Sequence, residues 1–221
     1  MGFEKFLSDD DFESPIKYGS YISDIEIYNK VKEIIEKEEK SFISCSTMGT
    51  HSPFGDFTKE ECDEWVEVEG LTAIENGRFN NYVQKIRNLD NMIGKILDYV
   101  SKSDENTLVI MYGDHYPSTY DLYEALNMIP KKERNISPEK YSHMFKTPYM
   151  VFSNCNDIKV NEKITPNEMG TYILENVRLE KKSWLYKALY SCVKNKSNEH
   201  EYNTYLLLQY DEIFGEKFWE K

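Results

Sequence analysis

Apolar positions recur along the chain with two different periods. Ile27, Val31, Ile34 and Ile35 fall three or four residues apart, the spacing of one helix face. Ahead of them, Ser23-Asp24-Ile25-Glu26 has the form of a capping box, with Ser23 and Glu26 each bonding a backbone N–H of the first turn. This predicts a helix over 24–39. A longer stripe through Tyr82, Ile86, Leu89, Ile93, Ile96, Leu97 and Val100 predicts a core-packed helix. Two runs lack that spacing. Residues 41–46 and 107–112 are rich in apolar and β-branched types and predict strands, the second buried on both faces. Residues 148–152 predict a third strand, with Pro148 at the first position, where a strand tolerates it.

Thr165-Pro166-Asn167-Glu168 opens another helix, with Pro at the first helical position and Glu where a capping box needs it. Shorter helical segments are predicted at 121–127, 138–145, 183–193 and 202–214. Strands alternating with amphipathic helices argue for an α/β fold with a parallel or mixed sheet. Three strands are few for so many helices. The expectation is therefore that residues 1–221 form one part of a larger domain.

Composition narrows the function. The net charge of -12 disfavours nucleic acid, whose phosphates reward clustered Lys and Arg. No run approaches the roughly 20 apolar residues of a membrane span, so the chain as given is expected to be soluble. Cys45, Cys62, Cys155 and Cys192 lie far apart without a C-x-x-C pair, which argues against a zinc site or a disulfide framework. Cys45 sits in an apolar run and is expected to be a buried thiol.

Candidate chemistry lies where strands end, the usual place for sites in open α/β sheets. Thr50-His51-Ser52 follows the first predicted strand and Gly113-Asp114-His115 the second. An adjacent carboxylate and imidazole suit zinc, manganese or a similar divalent ion, and Gly113 would let the backbone turn tightly. Taken alone, an Asp-His pair after a strand is more often a helix cap or a surface turn. His143 and His200 fall in helical segments and are expected to be ordinary surface or core-edge residues.

The order of motifs is more specific than any one of them. Gly2-Phe3-x-x-Phe6, Ile22-Ser23-Asp24, His51-Ser52-Pro53-Phe54, Leu89-Asp90-x-x-Ile93-Gly94, Tyr112-Gly113-Asp114-His115, Lys146-Thr147-Pro148-Tyr149 and Leu207-Leu208-Gln209-Tyr210-Asp211 follow one another. This series resembles the extracellular catalytic domain of the lipoteichoic-acid-synthase group of phosphoglycerol transferases, within the sulfatase/alkaline phosphatase superfamily. The resemblance implies the C-terminal half of a three-layer α/β domain with a mixed sheet. It implies that Asp114 and His115 are metal ligands, usually for manganese with zinc as the alternative, and that His51 contacts the substrate phosphate. The family's Thr nucleophile and remaining acidic metal ligand correspond to segments before residue 1, so the chain alone is expected to be inactive. The implied parent is a membrane-anchored enzyme with an extracellular catalytic domain acting on a phospholipid or cell-envelope polymer. A phosphate or sulfate ester hydrolase and a non-catalytic binding module are the rival readings. Surfaces left uncovered in a half-domain also predict self-association.

Overall fold

In the computed structural model, which describes residues 3–129, 142–155, 158, 163–176, 190–192, 194–195 and 198–216, helices and short strands alternate as a mixed α/β chain. The chain divides into two compact units, residues 1–103 with 112–148, and residues 104–111 with 149–221.

The first unit is organised by two helices. A small antiparallel ribbon, β1 (Lys17–Tyr18) and β2 (Tyr21–Ile22), leads into α1 (Asp24–Lys37). Ser23 is the N-cap of α1, but the predicted capping box is not formed. The N–H of Ser23 instead donates to the Ile16 carbonyl at 2.9 Å, so Glu26 has no donor to reach back for. The Ser23 hydroxyl is buried with no partner among the described residues. Helix α2 (Ala73–Ser101) is longer than the apolar stripe alone indicates. It starts at Thr72, whose side chain accepts from Glu75 N–H while Glu75 bonds the Thr72 N–H at 2.7 Å. Its C-terminal half buries Met92 and Val100, whereas its N-terminal half buries Asn76, Asn80 and Asn81.

Those asparagines hold the acidic segment between α1 and α2, which has little regular structure of its own. Asn76 accepts from Val68 N–H at 3.0 Å and donates to the Leu71 carbonyl at 3.2 Å. Asn80 accepts from Val66 N–H at 2.7 Å and donates to the Val66 carbonyl at 2.9 Å. A side-chain amide can serve a backbone N–H and C=O together, which is what an unpaired strand would otherwise require. Gly77 completes the contact, because a Cβ there would press on the Phe57 backbone.

Residues 41–46 are not a strand. They are irregular, no described strand pairs with them, and Phe42 is 82% exposed. An apolar run becomes a strand only where a neighbour completes its ladder. Cys45 is accordingly exposed rather than buried, although the apolar surroundings of its thiol push its pKa up.

In the second unit, β3 (Leu108–Tyr112) pairs with β4 (Tyr149–Ser153). The ladder is antiparallel: Gly113 N–H donates to the Pro148 carbonyl at one end and Asn154 N–H to the Thr107 carbonyl at the other. The expected parallel or mixed pairing is thus absent among the described residues. None of the β3 residues is fully buried, so β3 is not buried on both faces, and Ile110 is 40% exposed. Helix α3 (Tyr120–Ala125) lies in the first unit. Helices α4 (Pro166–Asn176) and α5 (Glu199–Phe214) lie in the second. Glu168 accepts from Thr165 N–H at 2.8 Å, as the sequence pattern implies. Ile173 and Tyr205 are core residues, and burial with the nearby Glu168 charge lifts the Tyr205 hydroxyl to about 12. Of the remaining predicted helices, 142–145 form a short 3-10 turn, and 138–141, 183–189 and 193 lie outside the described residues.

Replacing Asn80 by Ala strands the N–H and C=O of Val66. Loss of about 1–3 kcal/mol of stability is expected, read as a lower denaturation midpoint in urea. Asn80→Leu, which restores bulk but no amide, should not recover it.

Candidate active site

His51 lies on a loop fastened from two sides. Residues 48–51 form a turn closed by His51 N–H donating to the Met48 carbonyl at 3.1 Å. From α1, the buried Asp24 carboxylate accepts from Gly49 N–H at 3.0 Å. Gly49 is required at that point, because a Cβ would collide with the Asp24 carboxylate. From α2, Lys85 donates to the carbonyls of His51 at 3.0 Å and Pro53 at 3.5 Å, and its ammonium lies 4.8 Å over the Phe54 ring. Burial lowers the Lys85 pKa, and Asp24 partly offsets this. The imidazole of His51 is half-buried. Its Nδ1 lies 2.5 Å from the Ser52 carbonyl and 3.2 Å from the Tyr21 hydroxyl.

Asp114 and His115 follow β3 on an exposed loop, their side chains 79% and 61% accessible. Gly113 makes no left-handed turn. A Cβ there would lie 3.1 Å from the Thr147 side chain, a tight approach that glycine avoids. His115 N–H donates to Asp114 Oδ1 at 2.8 Å, which turns the carboxylate toward the imidazole. His115 Nδ1 donates to the Tyr116 carbonyl at 2.8 Å, and Nε2 is the nitrogen turned toward Asp114. That nitrogen and Asp114 Oδ2 are 3.4 Å apart. A histidine tied to a carbonyl through one nitrogen and open at the other is the common arrangement of a metal ligand. The donor chemistry therefore fits a divalent ion. The set is partial, since the described residues contain no group of three or more His, Cys, Asp or Glu able to hold one.

The polar partners of His51 among the described residues are Tyr21, Met48, Ser52 and Lys85, and include neither Asp114 nor His115. Both loops nevertheless attach to α2. Phe54, three residues after His51, packs on Tyr82 with ring centroids 5.2 Å apart. Burial raises the Tyr82 pKa, and Tyr123 and Tyr116 add to the rise. Arg78, one turn earlier on α2, donates to Asp56 at 2.8 Å and to Asp121 at 2.6 Å. It thus ties the segment after His51 to α3, which follows His115. His200 is exposed at the first turn of α5, and its N–H bonds Asn198; nothing brings it into either loop.

The contacts that Asp24 and Lys85 make with the His51 loop are not given by a motif, although Ile22-Ser23-Asp24 belongs to the motif series. Asp24 was legible as part of a helix start and of that series, and Lys85 only as a polar position on a helix. Neither signals the loop it holds, because the partners are 25 and 34 residues away in sequence.

Burial raises the Asp24 pKa against the opposing pull of Gly49 N–H and Lys85. The folded chain therefore keeps this proton to a higher pH than the unfolded chain. Its contribution to stability is greatest below about pH 4, the ordinary carboxylate range, and declines as pH rises through the folded value. Asp24→Asn retains an acceptor for Gly49 and has no charge to bury. The melting temperature of the variant minus that of the parent chain should rise between pH 4 and pH 7. A difference that stays flat would contradict this assignment.

Comparison with known proteins agrees with the superfamily to which the order of motifs points. The sulfatase family model matches residues 1–175. A curated relative from Rhizobium meliloti (strain 1021), provisionally named a cyclic beta-1,2-glucan modification protein, is 23% identical over 185 residues, which cover 81% of this chain and 29% of that protein. The chain therefore spans less than a third of the relative it matches. No solved structure matches the chain. With most of its length, including both histidine loops, inside the family match, the chain belongs to the sulfatase family.

Proposed function

We propose that this chain contributes the metal-binding and phosphate-contacting loops of a phosphoryl-transfer enzyme. The observation that carries the reading is the convergence of His115 Nε2 and Asp114 Oδ2 at 3.4 Å. Sulfatase-family proteins generally use a divalent metal, and these two atoms would hold one side of it, with manganese the first choice and zinc the alternative. Such an ion supplies charge stabilisation at phosphate oxygens. His51 would bind the substrate phosphate in the same pocket, which the attachment of both loops to α2 through Tyr82 and Arg78 supports.

In this reading the parent protein transfers phosphoglycerol or a related alcohol phosphate, as the lipoteichoic-acid-synthase group does. Its substrate is a phospholipid or cell-envelope polymer, and its catalytic domain is a three-layer sulfatase-type fold outside the cell membrane. The name of the Rhizobium relative, a glucan modification protein, favours a polymer acceptor. No described helix is long and apolar enough to cross a membrane, so an anchor would come from outside these residues. Hydrolysis of a phosphate or sulfate ester is the second reading, since the same loops serve water as acceptor.

Manganese added to isotopically labelled protein should broaden the NMR signals of Asp114 and His115 first. The affinity should be weak, because two protein ligands leave an ion mostly hydrated. Broadening that persists in the Asp114→Ala/His115→Ala double variant would remove the metal assignment.

We also propose that copies of the chain associate. In the first unit Phe6 and Phe42 are 88% and 82% exposed, and in the second Leu207 and Phe214 are 68% and 73% exposed. Exposed apolar surface of this kind favours association. Light scattering over a concentration series should show a mass above 26.2 kDa that grows with concentration. A constant monomer mass would refute it.

A further inference from the structure

Three consecutive carbonyls, those of His51, Ser52 and Pro53, lie on the histidine loop, and among the described residues no backbone N–H reaches any of them. Side chains take that place, as backbone acceptors away from water require. Lys85 donates to the His51 carbonyl at 3.0 Å and to the Pro53 carbonyl at 3.5 Å. The Ser52 carbonyl between them accepts from His51 Nδ1 at 2.5 Å. An ammonium suits the position, because it offers three protons and no lone pair. Lys85 is itself fixed. Phe54 is buried, with its ring centroid 4.8 Å from the Lys85 ammonium and 5.2 Å from that of Tyr82. Tyr82 and Lys85 are neighbours on one face of α2. Ahead of His51, the buried Asp24 carboxylate holds Gly49 N–H, and its charge acts on Lys85. The loop is thus gripped by a carboxylate before the histidine and by an ammonium at and after it.

We propose that Lys85 is a positioning residue, which sets the direction of the His51 imidazole through the backbone and touches no ligand itself. The inference rests on the reading of His51 as a phosphate contact and adds how that contact is aimed. The His51 and Pro53 carbonyls belong to the rigid peptide planes immediately before and after that of Ser52. Holding both leaves the Ser52 carbonyl little freedom to swing. A carbonyl only accepts, so Nδ1 donates to it, and the ring turns its Nε2 edge away from the Ser52 backbone. Without the ammonium the Ser52 carbonyl is released and the imidazole loses this preference. The Tyr21 hydroxyl, 3.2 Å from Nδ1, is then free to donate to that nitrogen, which favours a proton on Nε2.

The test uses the whole chain, with inorganic phosphate as probe. Long-range proton–nitrogen NMR reads which nitrogen of neutral His51 holds the proton, and the parent chain should show the Nδ1–H form. Lys85→Met keeps an apolar stem on Phe54 and removes the donors. It should move the population toward Nε2–H and weaken phosphate binding about tenfold, the lower end of what losing the orienting partner of a ligand histidine costs at metal sites. Lys85→Arg keeps charge and donors, and should restore the Nδ1–H form and most of the affinity. A role in stability alone would lower the melting temperature of Lys85→Met but leave tautomer and affinity of the folded chain unchanged, and that result would overturn the proposal. A parent chain in the Nε2–H form would overturn it as well. Should Lys85→Met not fold, Lys85→Gln takes its place with the same expectations. Phosphate that leaves the His51 ring signals of the parent chain unmoved would remove the reading of His51, while the tautomer comparison still decides whether Lys85 aims the ring.

Discussion

A loop without strand partners must still satisfy its backbone, and the first unit depends on how α2 meets that requirement. Residues 48–71 contain almost no regular structure, yet buried N–H and C=O groups left without partners cost free energy comparable to lost hydrogen bonds. Helix α2 supplies the partners from side chains. Asn76 and Asn80 take the 66–71 segment, Lys85 takes the carbonyls of His51 and Pro53, and Arg87 takes the carbonyl of Glu64. The polar half of α2 is therefore buried against a loop. The arrangement positions His51 more firmly than a surface loop of this length would otherwise allow.

The elements were legible in the sequence to different degrees, for identifiable reasons. Helix periodicity located α1 and α2 because a single face repeats over several turns. The start of α2 was marked by Thr72-Ala73-Ile74-Glu75, a capping box that carries no apolar stripe and was overlooked for that reason. The box expected at Ser23 did not form, since β-ribbon pairing claimed the donor. Residues 41–46 have strand composition but no partner among the described residues, and composition alone cannot provide one.

The site divides in a similar way. The Tyr-Gly-Asp-His and His-Ser-Pro-Phe segments stand out in sequence because both pack unusual chemistry into a few adjacent residues. Their local geometry follows directly, with His115 Nδ1 on the Tyr116 carbonyl and His51 Nδ1 on that of Ser52. Each histidine thus uses one nitrogen for its own backbone and keeps the other for chemistry. What a linear reading does not contain is the second set of contacts, Asp24 to Gly49 and Tyr21 to His51, which arise only when α1 and the β1–β2 ribbon fold onto the loop.

The account turns on one claim, that the two histidine loops carried by α2 serve a single phosphate-handling site. Paramagnetic relaxation by manganese gives the most direct measurement. With the ion bound at Asp114 and His115, relaxation of the His51 ring protons reports their distance from it. The account predicts strong relaxation, corresponding to a separation within roughly 15 Å, the reach of one small pocket. His51 ring signals that stay sharp while those of His115 disappear would contradict it.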